Sequence, residues 1–171
     1  QVHAARHVQK VHTYRLDAFD SGDAGPLGCV EEGRLRLWQP WPEGQADRRL
    51  SDHLLQRLLS APDWPRVELV LSHAGADGAV VRALLADPTA LAPLRGLVVA
   101  GTGNGSVHSG LLAALEQARA AGVRVRRGTR CAYGQVVPGP HGSTNDALAD
   151  TAGLSPVKAR LSLMLELLPS D

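Results

Sequence analysis

The sequence predicts an α/β fold: a parallel sheet flanked by helices, preceded by a β-hairpin and an N-terminal strand. Three observations carry this expectation. From Val67 onward the chain alternates strand, helix, strand, helix, strand, the rhythm of a parallel sheet with crossover helices. Two of those strands, VELVL (67–71) and GLVVA (96–100), are nearly continuous apolar runs, as strands covered on both faces require. Ahead of them, the segment Gly28–Trp38 carries Glu32-Gly33 at its middle, a bend signal between two short strands.

The elements follow in order. Residues 1–19 lack Gly and Pro and alternate imperfectly, which suits an extended segment. The Gly- and Asp-rich stretch Asp20–Pro26 reads as a turn. In the hairpin, Leu35 and Leu37 fall on one face. The polar, proline-punctuated QPWPEGQADRRL reads as a linker, and a short helix follows from about Asp52 with Leu54, Leu55, Leu58 and Leu59 as its stripe. Between the second strand and the third, VRVRR (123–127), lies an amphipathic helix with Val107, Leu111, Leu115 and Ala118 at helical spacing. Gly122 supplies its stop. The last helix has Ser155 as N-cap and Pro156 at its first position, with Val157, Leu161, Met164, Leu165 and Leu168 along one face. The expected organisation is 1–38, the tail of an N-terminal domain with the Lys10 strand and a hairpin; 39–65, linker and short helix; and 66–171, a C-terminal α/β domain.

Charge is nearly balanced, 18 basic against 17 acidic residues, with no block of one sign. A nucleic-acid or membrane-surface partner would call for a basic patch, so neither is expected. No apolar run approaches the roughly 18 residues that span a bilayer. Cys29 and Cys131 lie far apart and form no CxxC pair, so both are expected to be free, buried thiols, with one bridge between them as the alternative.

Among the basic residues only Lys10 and Lys158 are lysine; the rest are arginine. Arginine stays protonated, whereas a desolvated lysine can act as a base, so each lysine is a candidate for chemistry that arginine cannot do. A solvated side chain is the ordinary alternative. The loop GTGNGS after strand 96–100 sits where parallel sheets bind ligands, just beyond a strand's carboxyl end. Gly101, Gly103 and Gly105 permit close backbone approach, and Ser106 reads as the N-cap of the next helix; a tight strand-to-helix turn with no ligand is the equal alternative. The spacing is G-x-G-x-G, so a dinucleotide is not expected. His3 and His7 lack the glutamate of a HExxH metal site. In SHAGADG (72–78), His73 or Asp77 could line the glycine-loop cleft, with helix capping the stronger expectation for Asp77. PGPHGSTND (138–146) reads as a loop.

Taken together, VHAARHVQKVHTYRLDAF, GPLGCVEEGRLRLW, LRGLVVAGTGNGSVH, VRVRRGTR and LSPVKARLSLMLEL resemble the bacterial L-asparaginase/glutaminase family, in the family's order. The resemblance implies a flavodoxin/Rossmann-like C-terminal domain and an amidohydrolase that converts L-asparagine to L-aspartate and ammonia. It places Lys10 on the family's catalytic lysine, which joins a threonine and an aspartate in a relay. It places Ser106 on a substrate-binding position that reaches into a neighbouring subunit, with Asn104 beside it as a second candidate. It implies no metal and no cofactor, asparagine or aspartate as ligand, and a homodimer or homotetramer. The family's TGGTI-like and GTDT threonine segments do not occur in this sequence. With Gln1 opening on what reads as a strand in mid-course, the expectation is the C-terminal part of a larger protein whose N-terminal domain carries the threonines. A cytoplasmic setting is expected, the periplasm being the alternative. Two other functions stay open: a non-catalytic amino-acid-binding module, and a component of a tRNA-dependent amidotransferase.

Overall fold

The apolar runs read from the sequence form the middle of a four-stranded parallel sheet in the order β5-β6-β7-β8: Arg66–Leu71, Leu94–Gly101, Arg124–Thr129 and Ala149–Asp150. These strands belong to a computed structural model that describes residues 1–42, 52–60, 63–86, 92–139 and 147–168. Strand side chains alternate across the sheet, and both faces are covered. Leu97 and Val99 meet helices α2 (Ala79–Ala86) and α3 (Ser109–Ala120) through Val81, Leu111, Ala114 and Leu115. On the opposite face Val67 and Val98 meet Ala159 and Leu163 of α4 (Pro156–Glu166). Leu97, Val98 and Val99 are completely buried. Burying a side chain of this size contributes about 1.5–3 kcal/mol, so β6 is the chief anchor of the sheet. The two-residue β8, pairing Arg126↔Ala149 and Arg127↔Asp150, had no apolar run to announce it.

The chain divides into two compact units, Gln1–Ala61 and Pro62–Asp171. The first holds two antiparallel ribbons and a helix. One ribbon is the expected hairpin, β3 (Gly28–Glu31) with β4 (Arg34–Leu37). Glu32 and Gly33 both take positive φ, 48° and 76°, the two-residue turn whose twist matches that of the strands. The other ribbon is only β1 (Gln9–Lys10) against β2 (Phe19–Asp20), with register Gln9↔Asp20 and Lys10↔Phe19. Helix α1 (Asp52–Ser60) starts where the sequence places it, with Leu55 and Leu59 exposed. Part of the expected linker, residues 43–51, lies outside the described residues, as does most of the 138–146 loop.

Four expectations are corrected. Residues 1–19 are not continuously extended. The amides of His7 and Val8 both donate to the Ala4 carbonyl, and the His12 ring accepts from the amides of Tyr14 and Arg15, so two turns interrupt the segment. The helix after the glycine loop is capped by His108, whose Nδ1 accepts from the Gly110 amide at 3.2 Å; Ser106 is not its cap. Ser106 instead exchanges backbone hydrogen bonds with Thr102, which delays the helix. On α4 the expected face is only partly buried: Leu168 is in the core and Met164 packs against it, but Val157, Leu161 and Leu165 are 62%, 51% and 44% exposed. Apolar residues lie on more than one side of the helix, and the sheet selects the side carrying Ala159 and Leu163. A Cβ on Gly96 would stand 2.9 Å from Leu163 Cδ2, so the missing side chain makes the seat for that leucine. Both thiols are free, as expected, but Cys29 is half-buried and Cys131 exposed. Burial and the neighbouring Glu31 push the Cys29 thiol above its ordinary value.

Candidate functional site

Lys10 lies on β1, paired to Phe19 across the short ribbon. Its side chain is exposed, and with Val11, His12 and Thr13 it lines a shallow groove of about 290 Å³. The neighbouring Val11 amide donates to the Ala18 carbonyl at 2.7 Å, extending the pairing by one residue and fixing the backbone that carries the lysine. A larger cavity in the same unit, about 580 Å³, is lined by His3, Arg6, His7, Gln39 and Trp41 among others. There His3 Nδ1 lies 2.8 Å from Ser21 Oγ, an internal hydrogen bond that orients the ring. Among the described residues no group of His, Cys, Asp and Glu has the arrangement of a metal site.

The glycine loop belongs to the second unit and follows directly from β6. Gly101 to Ser106 turn back on themselves, the Thr102 amide donating to the Ser106 carbonyl at 2.9 Å and the Ser106 amide to the Thr102 carbonyl at 2.8 Å. The Ser106 side chain stands exposed at the strand's carboxyl end. Gly101 has to be glycine, because a Cβ there would meet the Gly105 backbone at 2.4 Å. Gly105 takes φ +78° and is buried. Asn104 and Ser106 thus share one loop, whereas Lys10 belongs to the other unit.

The sequence reading missed what holds this loop from beneath. Arg127 on β7 is 4% exposed, and its Nη1 donates to the carbonyls of Asn104 and Gly105 at 3.4 and 3.3 Å. A buried guanidinium gathering backbone carbonyls is a stiff support, because hydrogen bonds from a charged donor are stronger than neutral ones. The only hint in the sequence is the arginine pair near the end of the third strand. His73 and Asp77 act locally. Asp77 Oδ1 accepts from the Ala79 amide at the start of α2, and the His73 ring lies against the Ala74 carbonyl.

Two family models match the chain. The one described as "Glutaminase/Asparaginase C-terminal domain" covers residues 66–169, and "Asparaginase, N-terminal" covers 1–42. Over 167 residues the chain is 29% identical to L-asparaginase 2 of Bacillus subtilis, covering 98% of this chain and 41% of that protein. It is 30% identical to glutaminase-asparaginase of Pseudomonas fluorescens, covering 98% and 44%. A component of the glutamyl-tRNA(Gln) amidotransferase of Saccharolobus solfataricus is 28% identical, with 94% and 33% covered. Among solved structures, a probable cytoplasmic L-asparaginase from Campylobacter jejuni superposes with a TM-score of 0.75 at 26% identity, over 98% of this chain and 48% of that one. The chain spans less than half the length of each of these proteins. Among the described residues no helix is long and apolar enough to cross a membrane.

Proposed function

This chain belongs to the glutaminase/asparaginase family, and we propose that it is the lysine-bearing part of an amidohydrolase converting L-asparagine to L-aspartate and ammonia. The observation that carries the proposal is the match of family models on both sides of the linker, with Lys10 inside the N-terminal match and the glycine loop inside the C-terminal one. Amide hydrolysis needs a nucleophile, a base to activate it and donors for the oxyanion. In this reading Lys10, itself within the segment that matches the N-terminal model, takes part in the proton relay of a threonine supplied by the rest of that domain. Ser106 holds the amino-acid ligand across a subunit interface, in a dimer or tetramer. No metal or cofactor enters the reaction.

The surface around Lys10 supports a docked neighbour. Val11, Tyr14, Leu16 and Phe19 are all exposed, four large apolar side chains within nine residues of the Lys10 ribbon, as a docked neighbour would require. A lysine that serves as a base must be desolvated or set near positive charge. Lys10 is exposed in its own unit, so in this proposal its cover comes from the rest of the N-terminal domain.

The role given to Ser106 predicts a loss of affinity and not of chemistry. In an enzyme with the rest of the family's N-terminal domain joined ahead of Gln1, Ser106→Ala is expected to raise KM by roughly 10- to 150-fold with turnover retained. One hydrogen bond to a charged ligand is worth about 1.5–3 kcal/mol. Lower turnover at unchanged KM would sink the assignment. The similarity to an amidotransferase component keeps side-chain amide chemistry in view for a second substrate class. A pure binding module is separated by calorimetry: the chain alone should give no heat with aspartate, whereas a sensor should bind it unaided.

A further inference from the structure

The stretch after β7, residues 130–139, has no regular secondary structure, yet the glycine loop grips it repeatedly. At its start the Thr129 hydroxyl donates to the Gly103 carbonyl at 2.6 Å and accepts from the Cys131 amide at 3.0 Å. Further on, Asn104 meets Val137 with both ends of its side-chain amide. Nδ2 donates to the Val137 carbonyl at 2.7 Å, and Oδ1 accepts from the Val137 amide at 2.8 Å. Next to this pair Val136 lies over Gly105, where a Cβ would stand 2.9 Å from Val136 Cγ2. Two consecutive loop residues therefore seat two consecutive residues of the other segment.

A primary amide presents one donor edge and one acceptor edge in a single plane, so it can satisfy both backbone groups of one residue as a strand neighbour would. Aspartate at neutral pH has no donor, serine is too short to span both groups, and glutamine carries an extra methylene. The backbone of Asn104 is itself anchored, since Arg127 holds its carbonyl from the buried side. We propose that Asn104 is a positioning residue that templates the 130–137 segment on the glycine loop and sets its distance from Ser106. Resting on the reading of Ser106 as a ligand contact, the clamp joins two loops into one wall of the substrate site. The placement of residues 130–137 then depends on a side chain of the glycine loop that need not touch the substrate.

Amide hydrogen exchange on the full 171-residue chain tests the clamp directly. With both bonds gone in Asn104→Ala, exchange at Val137 is expected to rise roughly tenfold or more, and chymotrypsin cleavage after Tyr133 to quicken with it. Exchange in β5 to β7 and Tm should hold. Asn104→Asp keeps the acceptor toward the Val137 amide and should fall between the two. Unchanged exchange at Val137 in Asn104→Ala overturns the proposal. So does a uniform rise across the unit with a lowered Tm, because Asn104 would then be a general stabiliser. With the rest of the family's N-terminal domain joined ahead of Gln1, Asn104→Ala should raise KM about tenfold and leave kcat within twofold; an unchanged KM beside a loosened loop would refute the link to substrate. If the wild-type assembly releases no ammonia, the hydrolase reading fails while the exchange result still decides the clamp.

Discussion

Replacing Lys10 with arginine, in an enzyme that pairs this chain with the rest of the family's N-terminal domain, is expected to lower turnover by roughly 10²–10⁴ with the fold intact. The substitution keeps the positive charge and a long donor-bearing side chain, and removes the capacity at issue: arginine does not give up its proton at working pH. The fold should tolerate it. Within its own unit Lys10 is exposed on a two-residue strand whose register is set by backbone pairing, so the folding of that unit does not rest on the ammonium. Circular dichroism and Tm should therefore be unchanged while ammonia release collapses. Lys158→Arg, on α4 of the other unit, is the natural control and should leave turnover within about twofold. Near-normal turnover in Lys10→Arg would reduce Lys10 to a surface residue and remove the relay from the account.

How much of the fold was legible depended on how many solutions each segment allowed. The hairpin was readable because Glu32-Gly33 accepts a turn with positive φ at both positions, and the flanking strands then have one register. The runs at 67–71 and 96–100 were readable because only strands covered on both faces are apolar at every position. Helix α4 exists where Ser155-Pro156 announces it, yet its orientation was hidden. Apolar residues lie on more than one side, and the deciding fact, the gap at Gly96, is 67 residues away from Leu163 in the chain. The first 19 residues misled for a different reason. His12 and Ala4 close turns by accepting backbone hydrogen bonds, and neither residue type is a usual turn signal.

The site divides the same way. The glycine loop was legible because strand-end glycines permit the tight return that the Gly101 and Gly105 backbones make. Lys10 stood out through the near-absence of lysine and the resemblance carried by its surroundings. The supports were not legible. Arg127 reads as one more charged residue in VRVRRGT, and only the parallel register places it under the carbonyls of Asn104 and Gly105. The reciprocal pair of Asn104 with Val137 joins positions 33 residues apart. No local pattern reports such a contact.

The most direct test of the proposed division of labour is ammonia release from asparagine by the 171-residue chain alone, then by the chain with the rest of the family's N-terminal domain joined ahead of Gln1. In the proposed mechanism Lys10 serves a threonine hydroxyl carried by that domain. The chain by itself has neither the TGGTI-like nor the GTDT segment. Its lysine also rests on a two-stranded ribbon of a kind that is marginally stable alone. A glycine loop and one serine do not cleave an amide unaided, so the chain alone should show only background. Joining the domain supplies the nucleophile, covers the exposed apolar side chains around Tyr14 and Phe19, and should turn hydrolysis on. Silence alone followed by activity when joined is the predicted result; ammonia released by the isolated chain would place the nucleophile within Gln1–Asp171 and contradict the account.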